Sequence, residues 1–124
     1  MKVKRYFIAL GIVLGIDLVW LLVLMTGFYD TQLIGFARTN VIWSALLAWA
    51  LIPLGIVVFV DKIAKSKKEY AIYGGVYGLI LYGMYEFTNY AILANWTLPM
   101  VIVDVIWGTF LCSVSSVLLS MVKK

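Results

Sequence analysis

The sequence predicts an all-α membrane protein whose four transmembrane helices form an antiparallel, up-down bundle with both termini in the cytoplasm. Three observations predict it. Apolar residues make up 65% of the 124-residue chain and charged residues only 13%, a balance outside that of water-soluble globular domains. The apolar residues gather into runs of about 20, the number a helix rising 1.5 Å per residue needs to cross a hydrocarbon layer roughly 30 Å thick. Nearly all the cations, finally, fall at the run ends that share one side of the membrane.

The first span runs from about Tyr6 to Phe28. It follows the basic start MKVKR and so resembles a secretory signal. Its apolar run is more than 20 residues long, however, against roughly 7 to 15 for a signal core, and no A-x-A cleavage pattern follows. It is read as a retained span. The second runs from about Val41 to Val60, with Pro53 inside it. A proline there removes one helical donor and kinks the helix, and in lipid the freed carbonyl must be satisfied by neighbours. With no ionisable residue in its apolar run, this span reads as scaffold. The third span covers about Tyr70 to Leu93 and the fourth about Leu98 to Val122. The connectors FYDTQLIGFARTN, DKIAKSKKE and ANWT leave no room for a soluble domain, so residues 1–124 read as one domain.

Counting Lys and Arg sets the orientation. Lys2, Lys4 and Arg5 precede span one; Lys62, Lys65, Lys67 and Lys68 lie between spans two and three; Lys123 and Lys124 follow span four. Only Arg38 falls on the opposite side, so the positive-inside rule places both termini in the cytoplasm and the protein in the cell (inner) membrane. Tyr6 and Tyr70 then mark the inner interface, and Tyr29, Trp43 and Trp96 the outer one. Gly11 with Gly15, and Gly74 with Gly78, have the G-x-x-x-G spacing that lets helix backbones approach closely in lipid. Packing within the bundle is one use for them; a homodimer face is the other.

Several classes of function are disfavoured. The single cysteine, Cys112, has no partner for an internal disulfide, and a chain without histidine lacks the usual ligand of zinc, copper and haem sites. Neither a metal nor another cofactor is expected. The net charge of +4 resides in short patches beside apolar runs rather than on one exposed face, which points to the bilayer and away from nucleic acid.

The acids carry the functional signal. Asp30, Asp61 and Glu69 lie at membrane edges, where a solvated role suffices. Asp17, Glu86 and Asp104 lie within spans one, three and four, where a carboxylate costs about 2.5 to 3.5 kcal/mol on insertion scales. No Lys or Arg lies inside a span, so these acids must be protonated, hydrogen-bonded to neutral donors, or open to water. Counted at about 1.5 Å per residue from the cytoplasmic boundary, Asp17, Trp20, Glu86, Asp104 and Trp107 fall between roughly 17 and 24 Å, in the middle to outer half. Spans one and four share a motif, Asp17-x-x-Trp20 and Asp104-x-x-Trp107, on helices that run in opposite directions. Residues three apart share a helix face, so Asp17 comes level with Trp107 and Asp104 with Trp20, and each indole is expected to donate to the opposite carboxyl. In span three, Glu86 and Asn89 repeat the same spacing, and Tyr82 and Tyr85 add hydroxyls.

The Asp17-x-x-Trp20 of span one, the Tyr85-Glu86-Phe-Thr88-Asn89-Tyr-Ala91 run, and Trp96 followed by Asp104-x-x-Trp107-Gly108-Thr109 together resemble the bacterial membrane family catalogued as domain of unknown function 2177. The resemblance covers essentially the whole chain. Where that family has Y-D-L-T-N, this chain has Y-E-F-T-N, which keeps the carboxyl and lengthens its reach by one methylene. It implies a multi-pass membrane protein and no particular activity.

Two readings of the acids compete. In one they are protonated interhelical glue; in the other they form a pocket for a proton, a cation or the polar head of a lipophile. Three functions follow. A small carrier or binder ranks first. An accessory or assembly subunit, whose polar residues specify a partner helix, comes second. An enzyme acting on a lipid or isoprenoid comes third, because no nucleophile with a base and no phosphate-cradling loop accompanies the carboxyls.

Overall fold

The computed structural model describes residues 3–124; Lys2, counted above among the cytoplasmic cations, lies outside them. The described residues form five helices and no strand. They are α1 (Val3–Leu24), α2 (Thr26–Gln32), α3 (Ile42–Ile63), α4 (Lys67–Ile92) and α5 (Leu98–Ser120). α1, α3 and α5 are long and apolar enough to cross a membrane. α4 is the longest at 26 residues, but six tyrosines, four glycines, Glu86 and Asn89 dilute its apolar character.

The first span ends earlier than its apolar run. α1 loosens into a π-helical turn over Trp20–Leu24 and stops at Met25, whose φ of −124° and ψ of 10° leave the helical region. Thr26 explains the stop locally: its hydroxyl donates to the carbonyls of Leu21 and Leu22 at 2.7 and 3.2 Å, competing with the helical ladder. Part of the expected connector then coils into α2. In α3 the winding also loosens after Pro53, with a π-helical stretch over Ile56–Val60. The Tyr6 hydroxyl donates to the Ala50 carbonyl at 2.9 Å and the Tyr77 hydroxyl to that of Ile52 at 3.1 Å, so neighbouring helices supply donors around the proline. α4 starts on a cap in which the Ser66 hydroxyl accepts the Glu69 amide at 3.2 Å while Glu69 reaches back to the Lys65 amide at 2.9 Å. α5 starts on Thr97, which accepts the Met100 amide at 3.3 Å, with Pro99 in the first turn where its missing N–H costs nothing.

α4 and α5 form the closest pair. A Cβ added to Gly74 would lie 2.6 Å from the Cys112 carbonyl oxygen, and one added to Gly78 would lie 2.9 Å from the Cys112 Cβ and run into the Gly108 carbonyl. The face carrying Gly74 and Gly78 is therefore packed against α5 of the same chain. Gly11 and Gly15 have nothing within 4 Å and point outward. The core joins Ala9 and Val13 of α1, Ile52, Ile56, Val57 and Val60 of α3, Tyr70 of α4, and Leu111, Cys112 and Leu119 of α5. Outside it the surface stays apolar: only 17% of the most apolar stretch of α1 is buried, and Leu22, Val23, Met84 and Ile92 are each more than 70% exposed. Exposed apolar area on this scale calls for lipid.

One end of the fold is closed by a buried ion pair. Arg5 and Asp61 are 4% and 6% exposed. The guanidinium meets the carboxylate in a fork, Nε to Oδ2 and Nη2 to Oδ1, both at 2.8 Å. Arg5 also donates to the carbonyls of Val122 at 2.8 Å and Leu119 at 3.1 Å, capping the exposed carbonyls at the end of α5. The Tyr70 hydroxyl donates to Asp61 at 2.5 Å, and Lys124 Nζ lies 3.8 Å from the same carboxylate. The solvated role expected for Asp61 is thus corrected: the aspartate ties α1, α3, α4 and the C-terminal end of α5 together. Asp30, by contrast, does sit in an exposed pair with Arg38 at 2.9 Å.

Candidate functional site

Asp17 is 5% exposed and accepts two indoles. Trp107 Nε1 of α5 donates to its Oδ1 at 2.9 Å and Trp49 Nε1 of α3 to its Oδ2 at 2.7 Å. Both carboxyl oxygens therefore have a neutral donor, which lets a mid-helix acid stand without a cation. The first half of the reciprocal pairing expected from the two D-x-x-W motifs is present. The second half takes another form. Trp20 stacks face to face on Trp107, centroids 4.0 Å apart and planes at 7°. Its indole N–H donates to the Tyr29 hydroxyl at 3.0 Å, and Tyr29 donates a short hydrogen bond to Asp104. A relay through Tyr29 of α2 stands in place of the direct bond.

Glu86 is fully buried. Trp96, in the turn between α4 and α5, donates to Oε1 at 3.0 Å, and Oε2 has no donor among the described residues. The carboxyl that bears most on Glu86 is that of Asp104. Two neighbouring carboxyls repel when both are ionised. Among the described residues, Asp17, Glu86 and Asp104 take part in no ion pair.

The remaining candidates surround this network. Tyr82 packs on Gly108, within electrostatic range of Asp17 and Asp104. Tyr85 lies edge-on to Trp96 at 5.9 Å, and Asn89 bears on the Tyr85 hydroxyl at the site's rim and makes no hydrogen bond to the Glu86 carboxyl among the described residues. Three donors were missed from sequence. Tyr29 and Trp96, read as interfacial anchors, turn inward onto Asp104 and Glu86. Trp49 lies in the span read as pure scaffold, and its position well inside an apolar run, away from either aromatic belt, is the signal that marks it. No group of three or more His, Cys, Asp and Glu suited to a metal occurs among the described residues.

The family model described as predicted membrane protein (DUF2177) matches residues 2–121. The chain belongs to this family. The match spans every helix that contributes to the network, from Asp17 of α1 to Trp107 of α5. No curated protein and no solved structure matches the chain. In this DUF2177 protein Trp49, Asp17 and Trp107 form one hydrogen-bonded group, which the Trp107–Trp20 stack joins to a second of Trp20, Tyr29 and Asp104, with Glu86 and Trp96 beside it. All five helices or their turns supply part of the arrangement.

Proposed function

We propose that this protein crosses the inner membrane four times, α4 included, as an antiparallel bundle with both termini in the cytoplasm, and that it is a small carrier or binder. Its Glu86–Asp104 pair holds an exchangeable proton that a cation displaces. The supporting observation is the orphaned Oε2 of fully buried Glu86 beside a second carboxyl. Acids serving only as helix glue would each be saturated by neutral donors, as Asp17 is. A pair lacking one donor is a place for a proton or for the cation that replaces it. The orientation rests on the cations: Lys4, Arg5, Lys62, Lys65, Lys67, Lys68, Lys123 and Lys124 flank the same ends of the long helices. Inclusion of α4 rests on its close packing along α5 and on Glu86, whose burial needs a surrounding of helices.

The test is proton flux into proteoliposomes carrying the wild type or Glu86→Gln. The amide keeps an acceptor for Trp96 but cannot exchange a proton, so flux is expected to fall at least tenfold. Equal flux from the two proteins defeats the proposal.

A further inference from the structure

α2 and the loop that follows it lie across the end of the fold opposite the Arg5–Asp61 pair. Among residues 26–41 none is buried, and none joins the core shared by α1, α3, α4 and α5. A segment with so few buried apolar contacts opens at a small fraction of the cost of global unfolding. Its two ends are built to bend. The chain leaves the helical region at Met25, with φ −124° and ψ 10°, and residues 37–41 have no regular structure. Between these ends the Asp30–Arg38 pair at 2.9 Å ties α2 to its loop. The contacts that seat the segment are polar or ring-edge, and they converge on the acid-bearing part of the fold. Tyr29 donates to Asp104, Thr97 donates to the Gln32 side chain, the Asn95 amide donates to the Gly35 carbonyl at 3.4 Å, and Phe36 lies edge-on to Trp96 at 5.7 Å. Trp96 is in turn the donor to Glu86.

We propose that residues 26–41 are a lid that swings about Met25 and residues 39–41 and, when lifted, opens Asp104 and Glu86 to water, with Tyr29 as its latch. The chemistry of the seat suits a lid. Water replaces a broken hydrogen bond at little net cost, whereas a seat of buried apolar side chains would have to be desolvated afresh at each closure. One movement also reaches both acids, because Tyr29 lies on Asp104 and Phe36 lies on the indole that serves Glu86. Seated, the lid shuts the pair off from the aqueous phase; lifted, it lets a proton or a cation arrive, as lids do in other sites that alternate between access and enclosure. The inference deepens the carrier reading by naming how access to its site is controlled, and it rests on that reading only for the use made of the opening.

The structure supplies its own lock for the test. A Cβ added to Gly35 would lie 3.3 Å from the Cβ of Asn95, close to the roughly 3.5–4.5 Å that a disulfide spans, so Gly35→Cys with Asn95→Cys can pin the lid shut by a bond that a reductant opens. Cys112 is buried and out of reach. In proteoliposomes of the full-length double variant, the disulfide is expected to form on mild oxidation, proton flux to fall at least tenfold, and flux to return on reduction, which excludes misfolding as the cause. Absence of the disulfide, or undiminished flux with the disulfide in place, overturns the inference. A second measurement needs no flux. Spin labels on Ile34→Cys and Ile92→Cys, both exposed positions, in a Cys112→Ala background are expected to give two distances by pulsed electron paramagnetic resonance, the longer gaining at least threefold in population when Tyr29→Phe removes the latch. A single distance in both proteins overturns the lid and, with normal flux, leaves the carrier proposal standing. Two distances in a protein without proton flux remove the carrier proposal and leave the lid.

Discussion

Replacing Arg5 by Met keeps an unbranched apolar stem and removes the guanidinium, together with two bonds to Asp61 and two to the carbonyls of Val122 and Leu119. Asp61 then keeps Tyr70 and the more distant Lys124 as partners while remaining buried. Removing one member of a buried pair costs about 3–5 kcal/mol, because the other is left as an uncompensated charge. Removing both is milder, since well-packed apolar replacements of a buried pair are often neutral. Arg5→Met with Asp61→Leu is therefore expected to recover part of that loss and to leave about 2–3 kcal/mol, the residue being the hydrogen bonds lost by Tyr70 and by the Val122 and Leu119 carbonyls. Unfolding free energies from titration with denaturing detergent, measured for wild type, both single variants and the double, give the coupling directly. A buried pair is also weakly screened, so the cost of Arg5→Met should persist between low salt and about 1 M, where the Debye length is near 3 Å. A single-variant cost below about 1 kcal/mol, or a double variant as unstable as the sum of the singles, would place the pair among solvated surface bridges and refute the reasoning.

Other outcomes follow from the same geometry. Gly78→Ala should cost about 1–3 kcal/mol in the same unfolding assay, because the new methyl meets the Gly108 carbonyl and Cys112; Gly11→Ala, which meets nothing within 4 Å, should stay within about 0.5 kcal/mol. Asp17→Asn presents an amide N–H₂ to one of two indole donors, so it should destabilise by about 1–3 kcal/mol, and Trp49→Phe in the same background should return part of that loss by removing a clashing donor. The stacked Trp20 and Trp107 should give an exciton couplet in circular dichroism that vanishes in Trp107→Phe and survives in Trp43→Phe, whose ring is 69% exposed.

The sequence made the three mid-helix acids legible through inventory: with no Lys or Arg inside an apolar run, their donors had to be neutral, and indoles and hydroxyls are what they find. It also placed Trp107 on Asp17, because i, i+3 spacing on antiparallel helices fixes depth and face together. It misplaced Tyr29 and Trp96. Residues near an interface are amphipathic by nature and face lipid headgroups or the protein interior with nearly equal ease, so position along the chain cannot choose between the two. Asp61 was misjudged for a related reason. At a helix end a carboxylate is solvated unless another chain end arrives to cover it, and here Arg5 and the end of α5 arrive from 56 and about 60 residues away.

By itself, then, the sequence determined the solvent this protein folds in, the helical content, and which residues are too costly in lipid to lack partners. These follow from transfer free energies and the length of a helical rise, which are local quantities. Tertiary structure alone decided which partners they take: that Gly74 and Gly78 admit α5, that Trp20 stacks on Trp107 and donates to Tyr29, that Trp49 completes Asp17, and that Glu86 keeps one oxygen without a donor among the described residues. Those choices depend on rotation of each helix about its axis, a few tens of degrees that no hydropathy pattern encodes when nearly every face is apolar.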